Sequence, residues 1–216
     1  MQKRLKIAFA VPVTLLLSAG AAAAVSAGNF QADLLPVPHD HVADGGSNVT
    51  GHAALRLTGR TLDITLNASG LTPNEPHAMH IHGLTQSKNE CPTLAADAST
   101  GDPIDPGSFV AGTPDGLVSL GEGAPDYGPI DVSMTVVGDT SPSSGLSLER
   151  FLSADANGNL AYHRSVVVPK DVAKNLTNLH IVLHGADLPG DADHSSLSSL
   201  FEATLPVACG EITTAR

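Results

Sequence analysis

Ala54-Leu55-Arg56-Leu57-Thr58-Gly59-Arg60-Thr61-Leu62-Asp63-Ile64-Thr65-Leu66-Asn67 decides the fold class. Leu55 and Leu57 alternate with Ala54, Arg56 and Thr58, and after Gly59 the residues Leu62, Ile64 and Leu66 alternate with Asp63, Thr65 and Asn67. A period of two puts the large apolar side chains on one face of an extended chain. Two such runs around a glycine-containing turn read as a β-hairpin with one face in a core. Working outward, Pro76 to Gly83 reads as a strand after the turn Gly70-Leu71-Thr72-Pro73-Asn74. Ile130, Val132, Met134 and Val136 resume the alternation. Ala156-Asn157-Gly158-Asn159 is a hairpin signal between the segment from Phe151 and a strand Leu160 to Val168. Leu179 to His184 and Ala203 to Ile212 are further strands. The expected fold class is all-β, a Greek-key β-barrel or sandwich of about eight strands.

The remaining segments are irregular. Residues 28–47 hold Pro36, Pro38 and Gly45-Gly46 and read as a flexible N-terminal lead, with His39 and His41 as solvated residues. Residues 84–129 contain Pro92, Pro103, Pro106, Pro114, Pro125 and Pro129 without sustained periodicity, and read as one long irregular loop. Loops of that length inside a domain are usually functional or disordered. Residues 138–149 are a Ser/Pro/Gly-rich connection, and residues 185–200 a loop with a helical turn at 195–201. Tryptophan is absent, aromatics are 3%, and Gly (21) and Pro (15) are plentiful, which suits short strands and turns around a Val/Leu/Ile/Ala core.

The start of the chain carries a targeting pattern. Lys3, Arg4 and Lys6 precede the apolar stretch Ile7 to Leu17, which is too short to span a bilayer. Val25-Ser26-Ala27 offers small residues for cleavage before Gly28. The expected organisation is a signal peptide over 1–27, the lead over 28–47 and one β-domain over 48–212, secreted or periplasmic. Removing Lys3, Arg4 and Lys6 from the 11 Lys and Arg leaves 8 against 22 Asp and Glu, a formal charge of −14. So acidic a surface repels nucleic acid and anionic lipid, and neither partner is expected. No later segment is apolar enough to suggest membrane insertion. Cys91 and Cys209 are the two cysteines, and in an exported chain they are expected to pair. Oligomeric state is left open by the sequence.

The chemistry lies in His77-Ala78-Met79-His80-Ile81-His82. On a strand His80 and His82 share a face, about 6.6–6.8 Å apart at Cα, and Met79 and Ile81 share the other. His180 and His184 share a face of a second strand if it is regular that far. Neutral imidazoles suit copper, zinc, iron and nickel, whereas a lone histidine pair on a strand is as readily a solvent-facing one.

The wider pattern resembles copper/zinc superoxide dismutase. Gly70-Leu71-Thr72-Pro73 followed by His77-Ala78-Met79-His80-Ile81-His82 is similar to that family's Gly-Leu-x-Pro turn leading into His-Gly-Phe-His-Val-His. Cys91 follows His82 by nine residues, Leu179 to Gly185 resembles the family's Leu-Val-Val-His strand, and Val207-Ala208-Cys209-Gly210-Glu211-Ile212 its Leu-Ala-Cys-Gly-x-Ile strand. The resemblance runs in order over residues 48–212. It implies that His80, His82 and His184 are copper ligands, that His77 is a buried structural histidine, and that Cys91 pairs with Cys209. The sequence departs from the pattern at three places. Asp97 stands where the family has the histidine bridging copper and zinc, residues 98–162 contain no histidine for zinc, and Pro206 stands where the family has the arginine that guides superoxide. The expectation is therefore a copper site without zinc and without fast dismutation, and no catalytic residue is assigned. The histidine pair after a Gly-Leu-x-Pro turn also resembles the CHRD domain of secreted proteins. Three functions stay open: a copper-dependent dismutase acting on superoxide, a copper-binding or storage protein, and a metal-free CHRD-like binding module. A separate calcium candidate is Asp115 with Ser119 and Glu122, similar to the second half of an EF-hand loop.

Overall fold

The two-residue turn Gly59-Arg60, with Gly59 at φ +61°, joins β2 (Thr50–Thr58) to β3 (Thr61–Ser69) in unbroken register from Thr58↔Thr61 to Thr50↔Ser69. A computed structural model describes residues 27–39, 48–97, 116–188 and 200–216. The other strands are β1 (Gly28–Pro36), β4 (Met79–His82), β5 (Ile130–Ser133), β6 (Leu160–Val167), β7 (His180–His184), β8 (Pro206–Glu211) and β9 (Thr213–Thr214). They form one antiparallel sheet in the order β5-β4-β7-β8-β1-β2-β3-β6, with β9 beside β1. The sheet curls so that β6 side chains reach the segment after β5. Tyr162 and Arg164 both donate to Thr135 O, and Arg164 also donates to Gly138 O at 2.6 Å. Side chains thus bridge the two edges where ladder bonds do not. The fold is all-β, as expected.

Alternation places the core. Ala53, Leu55 and Leu57 of β2 and Leu62, Ile64 and Leu66 of β3 are buried, and their intervening neighbours face out. By contrast β4 and β7 are buried on both faces. Met79, Ile81, Ile181 and Leu183 join the main core, while Val182 joins Val37, Val118, Tyr127 and Cys209 in a smaller cluster on the outer face. That outer face is covered by α1 (Leu120–Tyr127) and by the segment that Cys91 ties to Cys209 with Cα atoms 5.7 Å apart.

Several expectations need correction. Residues 28–36 are not a lead: they form β1, an interior strand between β8 and β2. The prolines that suggested looseness fall at and beyond its end, where a missing N–H costs no ladder bond. His39 is buried rather than solvated; its Nε2–H donates to Pro206 O at 2.8 Å and its Nδ1 accepts from Val118 N–H at 3.0 Å. The loop from 84 contains α1, whose start is a capping box. Asn157-Gly158 turns the chain, but β6 pairs with β3, and the residues before the turn make only a bridge between Ser153 and Pro76. The last predicted strand divides into α3 (Leu200–Thr204) and β8, in chain order after α2 (Lys170–Lys174). Residues 1–26, which hold most of the expected signal peptide, His41, Asp115 and residues 189–199 lie outside the described residues. Among the described residues no helix is long and apolar enough to cross a membrane.

Candidate metal centre

β4 delivers two histidines and β7 a third. His80 stands opposite Val182 and His82 opposite His180, so all these side chains share the outer face; His184 lies one step beyond, its N–H bonded to Ala78 O. Register shifts fall at Ile81/His82 against β5 and at Leu183/His184 against β8. Bulges re-aim side chains, and these two fall at two of the three convergent histidines. The candidate ligand atoms of His80, His82 and His184 all lie within 4.8 Å of one another. Ring centroids are 5.3 Å apart for His80–His82, 5.0 Å for His80–His184 and 5.7 Å for His82–His184. Among the described residues this is the one group of three or more His, Cys, Asp or Glu side chains with ligand atoms so gathered.

Each ring is anchored through one nitrogen. His80 Nε2–H donates to Gly145 O at 3.0 Å, His82 Nδ1–H to Gly128 O at 2.9 Å, and His184 Nδ1–H to Thr204 O at 2.8 Å. A carbonyl can only accept, so each anchored nitrogen carries the proton and the opposite one carries a lone pair. Those opposite atoms, His80 Nδ1, His82 Nε2 and His184 Nε2, are buried and have no hydrogen-bond partner. A buried unsatisfied acceptor costs about 1–3 kcal/mol, so three in one place are a standing cost that a cation would relieve. Burial keeps all three rings neutral. Desolvation, then the neighbouring His184, lowers His82 to about 3. Desolvation lowers His184 to about 4, and desolvation followed by His184 and His82 holds His80 well below the usual imidazole value. Neutral, tautomer-locked imidazoles with convergent lone pairs are the form a metal needs.

The anchoring carbonyls are themselves held. Gly145 sits in a loop built on Asp139, which accepts from Ser141 N–H at 3.0 Å, Ser144 Oγ–H at 2.9 Å and Arg150 Nη1–H at 3.0 Å, besides the Ser141 hydroxyl. Gly145 lies so close to the site that a Cβ there would come 2.7 Å from Ile130 Cδ1 and 3.4 Å from His80 Nε2. Gly128 closes α1 at φ +85°, and Thr204 ends α3.

No protein-family model matches this chain, and no curated protein does.

The other predicted residues divide clearly. His77 is fully buried, with Nδ1 3.0 Å from His184 O and Nε2 3.0 Å from Thr72 O, so it ties the turn before β4 to the end of β7. Burial lowers its pKa, opposed by both carbonyls and by Glu75. His180 shares the outer face beside His82 but does not join the convergent set; burial lowers its pKa against Glu211, the Asn89 backbone and Glu90. His163 is exposed at 3.1 Å from Asp63. Asp97 accepts from Gly116 N–H at 2.9 Å. Ser119 and Glu122 form the capping box of α1: Ser119 Oγ accepts from Glu122 N–H at 3.3 Å and Glu122 Oε2 from Ser119 N–H at 3.0 Å. Two of the three calcium candidates, Ser119 and Glu122, thus serve as the helix cap of α1. Sequence reasoning missed Gly128, Gly145 and Thr204, whose role is a carbonyl without a side-chain signature. It also missed Tyr127 and Phe151, whose rings pack edge-on against His82 and His80 with centroids at 4.7 and 5.6 Å.

Proposed function

We propose that this chain is an exported copper-binding protein on a superoxide dismutase-like β-fold, with copper held by His80 Nδ1, His82 Nε2 and His184 Nε2. The observation that carries this is the convergence of three partnerless ring nitrogens, each fixed by a carbonyl bond on the far side of its ring. Imidazole nitrogen without thiolate or carboxylate suits copper, and bound copper would supply one-electron redox chemistry. The chain's own contribution is orientation by Gly145, Gly128 and Thr204, neutrality by burial, and exclusion of water. The order of the dismutase-like motifs and the Cys91–Cys209 bond support the family reading. The paired cysteines and the basic-then-apolar start support export.

Holding copper fits better than fast turnover of superoxide. Asp97, in the bridging position, turns a carboxylate oxygen to the Gly116 N–H, and Pro206 brings no positive charge. An anion would also approach against a formal charge of −11 on the full chain, or −14 once Lys3, Arg4 and Lys6 are removed with the expected signal peptide. Metal analysis of the full chain with a superoxide assay tests this. The expected result is about one copper per chain with negligible dismutation. His82→Ala should abolish binding and His163→Ala should leave it intact; equal losses would place the site elsewhere. No copper after reconstitution would select a metal-free, CHRD-like module instead.

A further inference from the structure

Among the described residues outside the histidine cluster, Tyr127 is the one whose ring meets two of the three convergent histidines. Its centroid is 4.7 Å from His82 and 6.4 Å from His184, edge-on to both. Phe151, on the opposite flank, meets only His80. Tyr127 is 1% exposed, and beneath it His82 and His184 are 2% and 1% exposed. The ring belongs to an apolar cluster with Val37, Val118, Val182 and Cys209, not to a polar channel.

Its position is fixed from several sides. The capping box starts α1, and Gly128 ends it with its N–H on Ala124 O. A Cβ at Gly128 would come 2.8 Å from Ser87 Cβ and 3.0 Å from Gly83 O, so the helix end is pressed against the segment after β4. That segment returns bonds of its own. Lys88 Nζ donates to Asp126 at 2.6 Å, Lys88 N–H to Pro125 O at 3.0 Å and Glu90 N–H to Asp126 O at 3.3 Å. Behind the ring, Gly123 leaves the room it fills: a Cβ there would stand 2.7 Å from Tyr127 Cε1. The Tyr127 hydroxyl donates to Leu120 O at 3.3 Å, back into its own helix rather than toward the histidines.

We propose that Tyr127 determines which species reach the convergent nitrogens, closing the cluster to water and small anions and so separating it from an open dismutase-type site. This rests on the copper reading for its consequence but not for its geometry. Its role is selection by exclusion, since the phenol offers the cluster a ring edge and no ligand atom.

Acylation of the metal-free full chain by diethyl pyrocarbonate tests it near neutral pH. The reagent attacks neutral imidazole, and these three rings are neutral with lone pairs that no hydrogen bond occupies, so only access restrains them. Exposed His52 and His163 are internal standards, followed residue by residue by mass spectrometry. His82 and His184 should react slower than His163 by about tenfold or more, as buried sites do when opening is rare. Tyr127→Ala should remove that protection, whereas Tyr127→Phe should keep it. Gly123→Ala, which displaces the ring without deleting it, should act in the same direction if Tyr127→Ala does not fold. Equal rates for His82 and His163 in the unmodified chain would overturn the proposal. So would full protection in a folded Tyr127→Ala or Gly123→Ala variant. In the copper-loaded protein, azide should leave the cupric EPR spectrum unchanged and shift it in Tyr127→Ala. Failure to take up copper would sink the copper reading alone, because the acylation rates still decide the role of Tyr127.

Discussion

At the scale of single residues, three carbonyls determine which nitrogen of each histidine faces the cluster. His80 presents Nδ1, whereas His82 and His184 present Nε2. This asymmetry is measurable without metal: long-range proton–nitrogen spectra should show His80 as the Nε2–H tautomer and the other two as Nδ1–H. The reverse assignment at His80 would remove the Gly145 anchor from the account. The same burial predicts a pH dependence. His82 titrates at about 3 and His184 at about 4 in the folded protein, against an ordinary value of 6.5. Between those limits the unfolded chain binds more protons than the folded one, so stability rises with pH. Acidification from 6.5 toward 4 should therefore destabilise the metal-free protein, at about 1.4 kcal/mol for each pKa unit displaced. Thermal melts across that range check this, and His184→Asn should flatten the curve. The candidate ligands were legible because alternation puts His80 and His82 on one face and motif order adds His184. Their anchors were not, because a backbone carbonyl is offered by every residue and only the tertiary fold selects Gly128, Gly145 and Thr204.

At the scale of elements, sequence reading succeeded where period-two alternation is long and failed where it is short. β2 and β3 each carry three or four inward apolar residues and were readable with their turn. β1 offers only Ala32 and Leu34 as buried alternating positions, followed by Pro36 and Pro38, and so resembled a lead. Yet its ladder to β2 runs from Gly28↔Leu57 to Leu34↔Gly51, and Leu35 and Pro36 meet Cys209 and Ala208 of β8. Its place is fixed by partners that are distant in sequence, which no local pattern contains. A chain starting after residue 39 should therefore fail to fold, since it strands the facing backbone groups of β2 and β8. A merely flexible lead would be dispensable, so a cooperative melt from the shortened chain would refute the interior role of β1. α1 was hidden for a related reason: Pro125 and two glycines lie within it, and the residues of its capping box, Ser119 and Glu122, fell within the run Asp115 to Glu122 that resembles half a calcium loop.

At the scale of the whole molecule, one covalent bond spans the segments that build the site. Cys91 and Cys209 are 118 residues apart, and the closed loop contains α1, β5, β6 and β7. It therefore includes His184 and all three anchoring carbonyls but excludes His80 and His82. Closing so long a loop restricts the unfolded chain by roughly 5 kcal/mol on the chain-entropy account, with little dependence on any native contact. The native site has independent ties across the same gap. β4 and β7 are paired in register from Met79↔Leu183 to His82↔His180, and Lys88 and Glu90 bond directly to the end of α1. These two facts separate stability from affinity. The double variant Cys91→Ser/Cys209→Ala should unfold at much lower urea, yet while folded should bind copper within about twofold of the unmodified chain, since the entropy gained belongs to the unfolded state. Urea titrations followed by circular dichroism give the first quantity, and competition with a copper chelator at low urea gives the second. Should affinity fall in proportion to stability, the disulfide would be holding the histidines in place, and the β4–β7 ladder would not be what sets the geometry of the centre.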